Sequence, residues 1–132
     1  MVALTSSCSL VLVLLALGPL TAVAAQLRVF NIRASGLPSD LLGITDGYVE
    51  VSCGPTYLGE TSVRHNDANP WWDEEFRDSS ALPNDVLRLT VHDHDTFLDD
   101  LLGTCQRPIK VGTYSHDCYL DEGTLSYSYT LA

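Results

Sequence analysis

Two stretches, GYVEVSC (47–53) and DVLRLTVHD (85–93), set apolar and polar residues on alternate positions. A period of two puts every second side chain on one face of an extended strand and draws no helical stripe. Helical periodicity is absent throughout the chain after residue 25. QLRVFNIR (26–33) alternates in part, LGETSVRH (58–65) more weakly, and WWDEEFRD (71–78) places Trp72 and Phe76 on one face, as core. LLGTCQRPI (101–109), SHDCYLD (115–121) and GTLSYSYTL (123–131) complete the set, and at least one of Leu101 and Leu102 belongs to the core. Short strands at this spacing, bounded by turn residues, predict an all-β fold, an eight-stranded antiparallel β-sandwich.

The first residues are a different kind of segment. SLVLVLLALGPLTAVAA (9–25) is an apolar run followed by small residues, the pattern of a secretory signal peptide and its cleavage site. It is shorter than the roughly 20 apolar residues of a membrane span. Residues 1–25 are therefore expected to be a leader, cleaved after Ala24 or Ala25, although no Lys or Arg precedes the apolar run. Residues 26–132 then make one domain, large enough for a single core. Every charged residue lies in that part: seven Lys plus Arg against seventeen Asp plus Glu, a net charge of −10. Such a surface argues against nucleic acid, and against simple electrostatic docking on anionic membranes. Cys53, Cys105 and Cys118 remain after the leader. An odd count allows at most one internal pair. Cys105 and Cys118 could join neighbouring strands, leaving Cys53 either buried and inert or available to a partner chain, as in a dimer.

In a sandwich, alternate connections lie at the same end. The connections ASGLPSDLLGITD (34–46), NDANP (66–70) and DTFLDD (95–100) are the longer ones. The first and third, with the strand end before the third, bring Asp40, Asp46, Asp93, Asp95, Asp99 and Asp100 toward one end. A close pair of carboxylates costs about 1 kcal/mol in water and up to ~4 at an effective dielectric near 20. A hard cation offsets this, and Ca²⁺, which takes oxygen ligands in flexible geometry, is the expected cofactor. An EF-hand loop is absent. Zinc is not expected: on a strand His92 and His94 face away from Asp93 and Asp95. Catalysis is not expected either, since G-x-S-x-G and H-E-x-x-H are absent and clustered acids without an aromatic sugar platform suit a metal better than glycoside hydrolysis. Solvated turns explain Asp67, Asp73, Asp78 and Asp85. They leave unexplained why Phe97 and Leu98 stand inside DHDTFLDD (93–100).

Three stretches, LRVFNIRASGLPSDLLGITDGYVEVSCG, NPWWDEEF and LRLTVHDHDTFLDDLLG, together resemble the C2 domain family along residues 26–132. Asp40 and Asp46 stand at the spacing of its first acidic pair, Asp93 and Asp95 at its V-x-D-x-D motif, and Asp100 in its D-x-x-G. The order of strands, with GTLSYSY last, resembles the type II topology. The likeness implies calcium at Asp40, Asp46, Asp93, Asp95 and Asp100. The third loop is one residue shorter than is common in the family, so Asp99 could replace or supplement Asp100. Gly47 stands where the family usually has proline, which should loosen that turn. Within the family, ASGLPSDLLGITDGYV, DDLLGTC and Cys118 ahead of GTLSYSY are similar to the C2 domain of perforins. That likeness implies a Cys105–Cys118 disulfide and a secreted protein, peripheral on membranes when calcium is present; a pore-forming domain is not expected within these residues. Phospholipid would be the partner, with Phe97 and Leu98 entering the membrane interface, Leu41, Leu42 and Ile44 joining from the first loop and Trp71 from the second. LGETSVRH offers only Arg64 where lysine-rich strands grip anionic lipid, so phosphocholine-type lipid is expected. The alternatives are a calcium-dependent protein-interaction module and a perforin-like accessory in cytolysis or immune defence.

Overall fold

The computed structural model describes residues 25–40 and 43–132; the expected leader, Ala25 apart, and Leu41 and Leu42 lie outside the described residues. Its segments are β1 (Leu27–Ser35), β2 (Ser39–Asp40), β3 (Gly43–Ile44), β4 (Gly47–Cys53), β5 (Thr56–Glu60), β6 (Trp71–Trp72), β7 (Phe76–Asp78), β8 (Val86–Asp93), β9 (Asp100–Pro108), β10 (Gly112–Tyr119) and β11 (Thr124–Leu131). One sheet runs β10-β11-β1 and ends on β6 and β7, which pair with β1 one after the other; the second runs β5-β4-β8-β9. Every pairing is antiparallel. With β6 and β7 counted as one edge, and the short β2–β3 pair set apart as its own two-stranded sheet, the two large sheets make the predicted eight-stranded sandwich. The first strand lies beside the last, with Leu27 opposite Leu131 at the end of the sandwich away from the 36–46 connection, as in the type II arrangement.

Alternation builds the core. Val49, Val51 and Cys53 on β4 and Leu87, Leu89 and Val91 on β8 turn inward to meet Val29, Ile32, Leu125 and Tyr129 of the other sheet. Full burial of each such aliphatic side chain stabilises the fold by roughly 1.5–3 kcal/mol. Trp72 and Phe76 are core, as read. The partial alternation of β1 has a local cause. Leu27 and Val29 are buried, then the phase slips to Ile32 and Ala34. Asn31, at φ 55°, is the extra residue of a bulge between Phe30 and Arg33. Asparagine tolerates that left-handed backbone better than most side chains.

Three expectations change. The strand expected over 58–65 begins at Thr56 and ends at Glu60; beyond it Arg64 alone bridges to Gly47. The strand expected over 71–78 is broken between Trp72 and Phe76, beside the β1 bulge. Gly47 does not loosen its turn. Its N–H donates to the Arg64 carbonyl at 3.1 Å and its own carbonyl accepts from the Arg64 N–H at 2.9 Å. A proline there would lose the first bond. Of the leucine pair, Leu102 packs against the core and Leu101 faces solvent, because β9 carries its own bulge opposite Val91 and His92.

Cys105 on β9 and Cys118 on β10 form a disulfide, with Cα atoms 6.1 Å apart. The bond staples the two sheets along an edge where no ladder joins them. Cys53 is the buried cysteine of the two alternatives, 1% exposed, with its thiol pushed up to about 11 by burial and by Asp85 and Asp78. A partner chain could reach it only if β4 left the core. Closing a loop of the Cys105–Cys118 length removes about 3 kcal/mol of unfolded-chain entropy. Cys105→Ala with Cys118→Ala is expected to lower Tm by roughly 10–20 °C in thermal unfolding.

Candidate calcium and membrane site

Four connections meet at one end of the sandwich: 36–46, 61–70, 94–99 and 120–123. Sheet register places the acids there. Asp93, the last residue of β8, lies opposite Gly47 on one side and Asp100 on the other. Asp46 immediately precedes Gly47. Asp93 and Asp100 therefore stand on one row, and Asp46 lies one residue beyond it, just before β4.

The loops are tied by their own polar groups. Asp93 Oδ1 accepts the Asp46 N–H at 2.9 Å, and the Asp46 carbonyl accepts the His94 N–H at 2.8 Å. Asp46 Oδ1 accepts the Asn66 N–H at 2.6 Å, while Asn66 Oδ1 accepts the Ile44 N–H at 3.1 Å. Thr45 is buried and donates its hydroxyl to the Pro38 carbonyl at 2.6 Å. Two depressions lie among the described residues of this end. One, of about 360 Å³, is lined by Ile44, Asp46, His65, Asp93, His94, Asp95 and Thr96 among others, so His94 shares it with the two aspartates it was expected to face away from. The other, of about 200 Å³, is lined by Ser39, Thr45, Asp93, Asp100, Leu102 and Glu122 among others. Asp93 borders both.

Asp46, Asp93, Asp95 and Asp100 thus reach the depressions, and Asp99 lines neither. Asp40 lies in β2, with its side chain outside the described residues. Among the described residues no three His, Cys, Asp or Glu side chains are drawn close enough to hold a metal ion. Like charges in water hold one another off, and backbone N–H groups already satisfy part of this set. The donor set is mostly carboxylate, with the His65 and His94 rings beside the larger depression and no cysteine on either, which suits a hard, oxygen-seeking cation.

Asp99 is occupied elsewhere. Its Oδ2 accepts the Tyr48 hydroxyl at 2.5 Å and its Oδ1 the Asp95 N–H at 2.9 Å. His94 Nδ1 lies 3.4 Å from the same Oδ1. The Asp95 N–H, then the Tyr48 hydroxyl, hold this carboxyl below the usual carboxylate range. The bond to Asp99 pushes the Tyr48 phenol up. His92 stacks on Tyr48 with ring centroids 5.0 Å apart and bonds Glu50 at 2.6 Å.

Above this floor stand the apolar residues of the third loop. Phe97 is 95% and Leu98 75% exposed. Ile44 and Trp71 are exposed as well. Trp71 lies on the outer face of its sheet, with the Arg33 guanidinium 5.5 Å over its ring and Arg64 Nε bonded to its carbonyl. Leu41 and Leu42 are outside the described residues.

Sequence reading passed over Tyr48, Asn66 and Glu122. Tyr48 reads as a β-former. Glu122 belongs to a connection short enough to read as a plain turn. Asn66 had one usable signal: asparagine in a connection is a residue that bonds neighbouring backbone and tolerates φ > 0, and its φ is 57°.

The C2 domain model matches residues 25–122. Perforin-1 of Homo sapiens is 39% identical over 108 residues, 80% of this chain and 19% of the relative, so the chain spans about a fifth of that protein's length. A solved structure described as a C2 domain is 68% identical, covers 82% of this chain and 98% of its own, and superposes with a TM-score of 0.80. A calcium-bound structure of extended synaptotagmin 2, holding two C2 domains, shares the fold at a TM-score of 0.67 and 20% identity, over 82% of this chain and 45% of its own. The acidic loop end, the sandwich and these matches agree with the perforin-type resemblance, and the chain belongs to the C2 domain family.

Proposed function

We propose that the protein is a secreted, calcium-dependent phospholipid-binding module. The observation that carries this reading is the stacking of two unlike features at one end: a row of carboxylates beneath Phe97 and Leu98, two large apolar side chains left almost wholly in solvent. Calcium, when bound, neutralises the loop end and offers coordination positions to lipid phosphate oxygens. Asp40, Asp46, Asp93, Asp95 and Asp100 would hold it. Asp93 is central, since its main chain closes two ladders and its side chain bonds the Asp46 N–H. Phe97 and Leu98 supply apolar area to the membrane interface, and Ile44, Leu41 and Leu42 extend it. The loop end is short of cations: Arg64 is bonded to Ser62 and the Trp71 carbonyl. That supports phosphocholine-type lipid over an anionic headgroup. Similarity to perforin-1 supports secretion, and supports work beside perforin-like proteins as an accessory in cytolysis or immune defence.

The test is co-sedimentation with phosphocholine vesicles in millimolar calcium and in chelator. Pelleting in calcium alone is expected. Calcium binding by the protein without pelleting on any vesicle would transfer the loops to a protein partner, the second reading. Lipid should also tighten calcium binding, because the linkage is reciprocal; titration with and without vesicles measures it.

A further inference from the structure

We infer that Tyr48 is a positioning residue for the calcium loop and that Asp99 is its clasp, not a calcium ligand. The inference deepens the calcium reading and rests on it. Tyr48 alternates with the inward-facing Val49 on β4, so its ring lies on the outer face of the sheet. There it stacks on His92, whose other contact, Glu50, lies on the same face. The ring is thus braced, and its hydroxyl is fixed in place. That hydroxyl takes one oxygen of Asp99 at 2.5 Å, and the second oxygen takes the Asp95 N–H at 2.9 Å. Both oxygens are in use on the outer side of the loop. Asp100, the next residue, turns the opposite way and lines the smaller depression.

The chain of contacts runs from sheet to ligand. Tyr48 anchors Asp99 to rigid strand β4, Asp99 anchors the Asp95 main chain, and the Asp95 side chain lines the larger depression. The connection 94–99 has few bonds of its own besides these; the Phe97 N–H reaches Asp95 Oδ1 only at 3.5 Å. A short acidic loop has to hold its carboxylates together against their repulsion before the cation arrives. A clasp on a strand reduces the ordering that calcium must otherwise impose.

Calcium titration of the whole protein and of Tyr48→Phe, Asp99→Asn and the double variant tests this, with ion stoichiometry and thermal midpoint in chelator measured in parallel. Phenylalanine keeps the stack on His92 and removes the hydroxyl. Tyr48→Phe is expected to bind the same number of ions about tenfold more weakly, the scale of a hydrogen bond to a charged group. Asp99→Asn in the Tyr48→Phe background should add less than it does alone, because both act through one contact. Unchanged affinity in Tyr48→Phe with a lower thermal midpoint would make the contact merely structural and overturn the inference. A lost ion in Asp99→Asn, with additive losses in the double variant, would make Asp99 a ligand and overturn it too. If the unaltered protein binds no calcium, the calcium reading falls first and this inference with it.

Discussion

Asp93→Asn with Asp95→Asn is expected to abolish calcium-dependent vesicle pelleting while leaving the fold intact. The substitution removes two negative charges from the wall of the larger depression and keeps the shape of both side chains. Calcium affinity in oxygen cages is set by the number of charged ligands and the rigidity of the site, so a fall of roughly a hundredfold or more is expected. Stability should move the other way or not at all. The amide at position 93 would keep a carbonyl oxygen to accept the Asp46 N–H that Asp93 accepts now. Fewer like charges would crowd the loop end, where each close pair costs about 1 kcal/mol in water and more where solvent is excluded. Thermal unfolding in chelator should therefore give a midpoint equal to or above that of the unaltered protein. A variant that loses lipid binding and also unfolds early would show the two aspartates acting through the fold, and the cage would lose its support.

The strands were legible because burial writes itself into alternation. GYVEVSC is a strand over the very residues whose pattern announces it, and the three inward positions of DVLRLTVHD are all fully buried. Legibility failed where the backbone departs from a plain ladder. Asn31 shifts the phase of β1 midway, so its alternation looked partial, and the β9 bulge turned Leu101 outward. Both are two-strand properties, created by what lies opposite. The site divides in the same way. Which residue types lie at one end follows from counting strands and reading acids, and Asp46, Asp93, Asp95 and Asp100 line the two depressions there. Which acid faces the depression and which turns away depends on a tyrosine half a chain distant. Asp99 and Asp100 are indistinguishable as letters, and Tyr48 separates them. Asn66 and Glu122 were missed for a related reason: each reaches the site from a connection whose own composition reads as an ordinary turn.

Phe97→Ala with Leu98→Ala is expected to weaken membrane binding on the order of a hundredfold with no loss of stability and no change in calcium affinity in the absence of lipid. Complete burial of each side chain contributes roughly 1.5–3 kcal/mol, and a loop tip that reaches only the interfacial region realises part of that. Neither side chain belongs to the core, and tyrosine apart the two are the most exposed large hydrophobics among the described residues. The fold therefore loses nothing when they are shortened. What changes is the coupling. In the unaltered protein, lipid should tighten calcium binding, and by reciprocity calcium should tighten lipid binding by the same factor. Shortening Phe97 and Leu98 weakens both bound states on the membrane alike, so that factor should survive while the absolute vesicle affinity falls. Asp93→Asn with Asp95→Asn acts oppositely, removing the calcium term and leaving the apolar tip. The pair of variants thus separates the charge at the base of the loop from the apolar area at its crest. If Phe97→Ala with Leu98→Ala pellets as well as the unaltered protein, the tip does not enter lipid, and so exposed an apolar pair then belongs to a protein interface, measurable as self-association or partner capture that requires calcium.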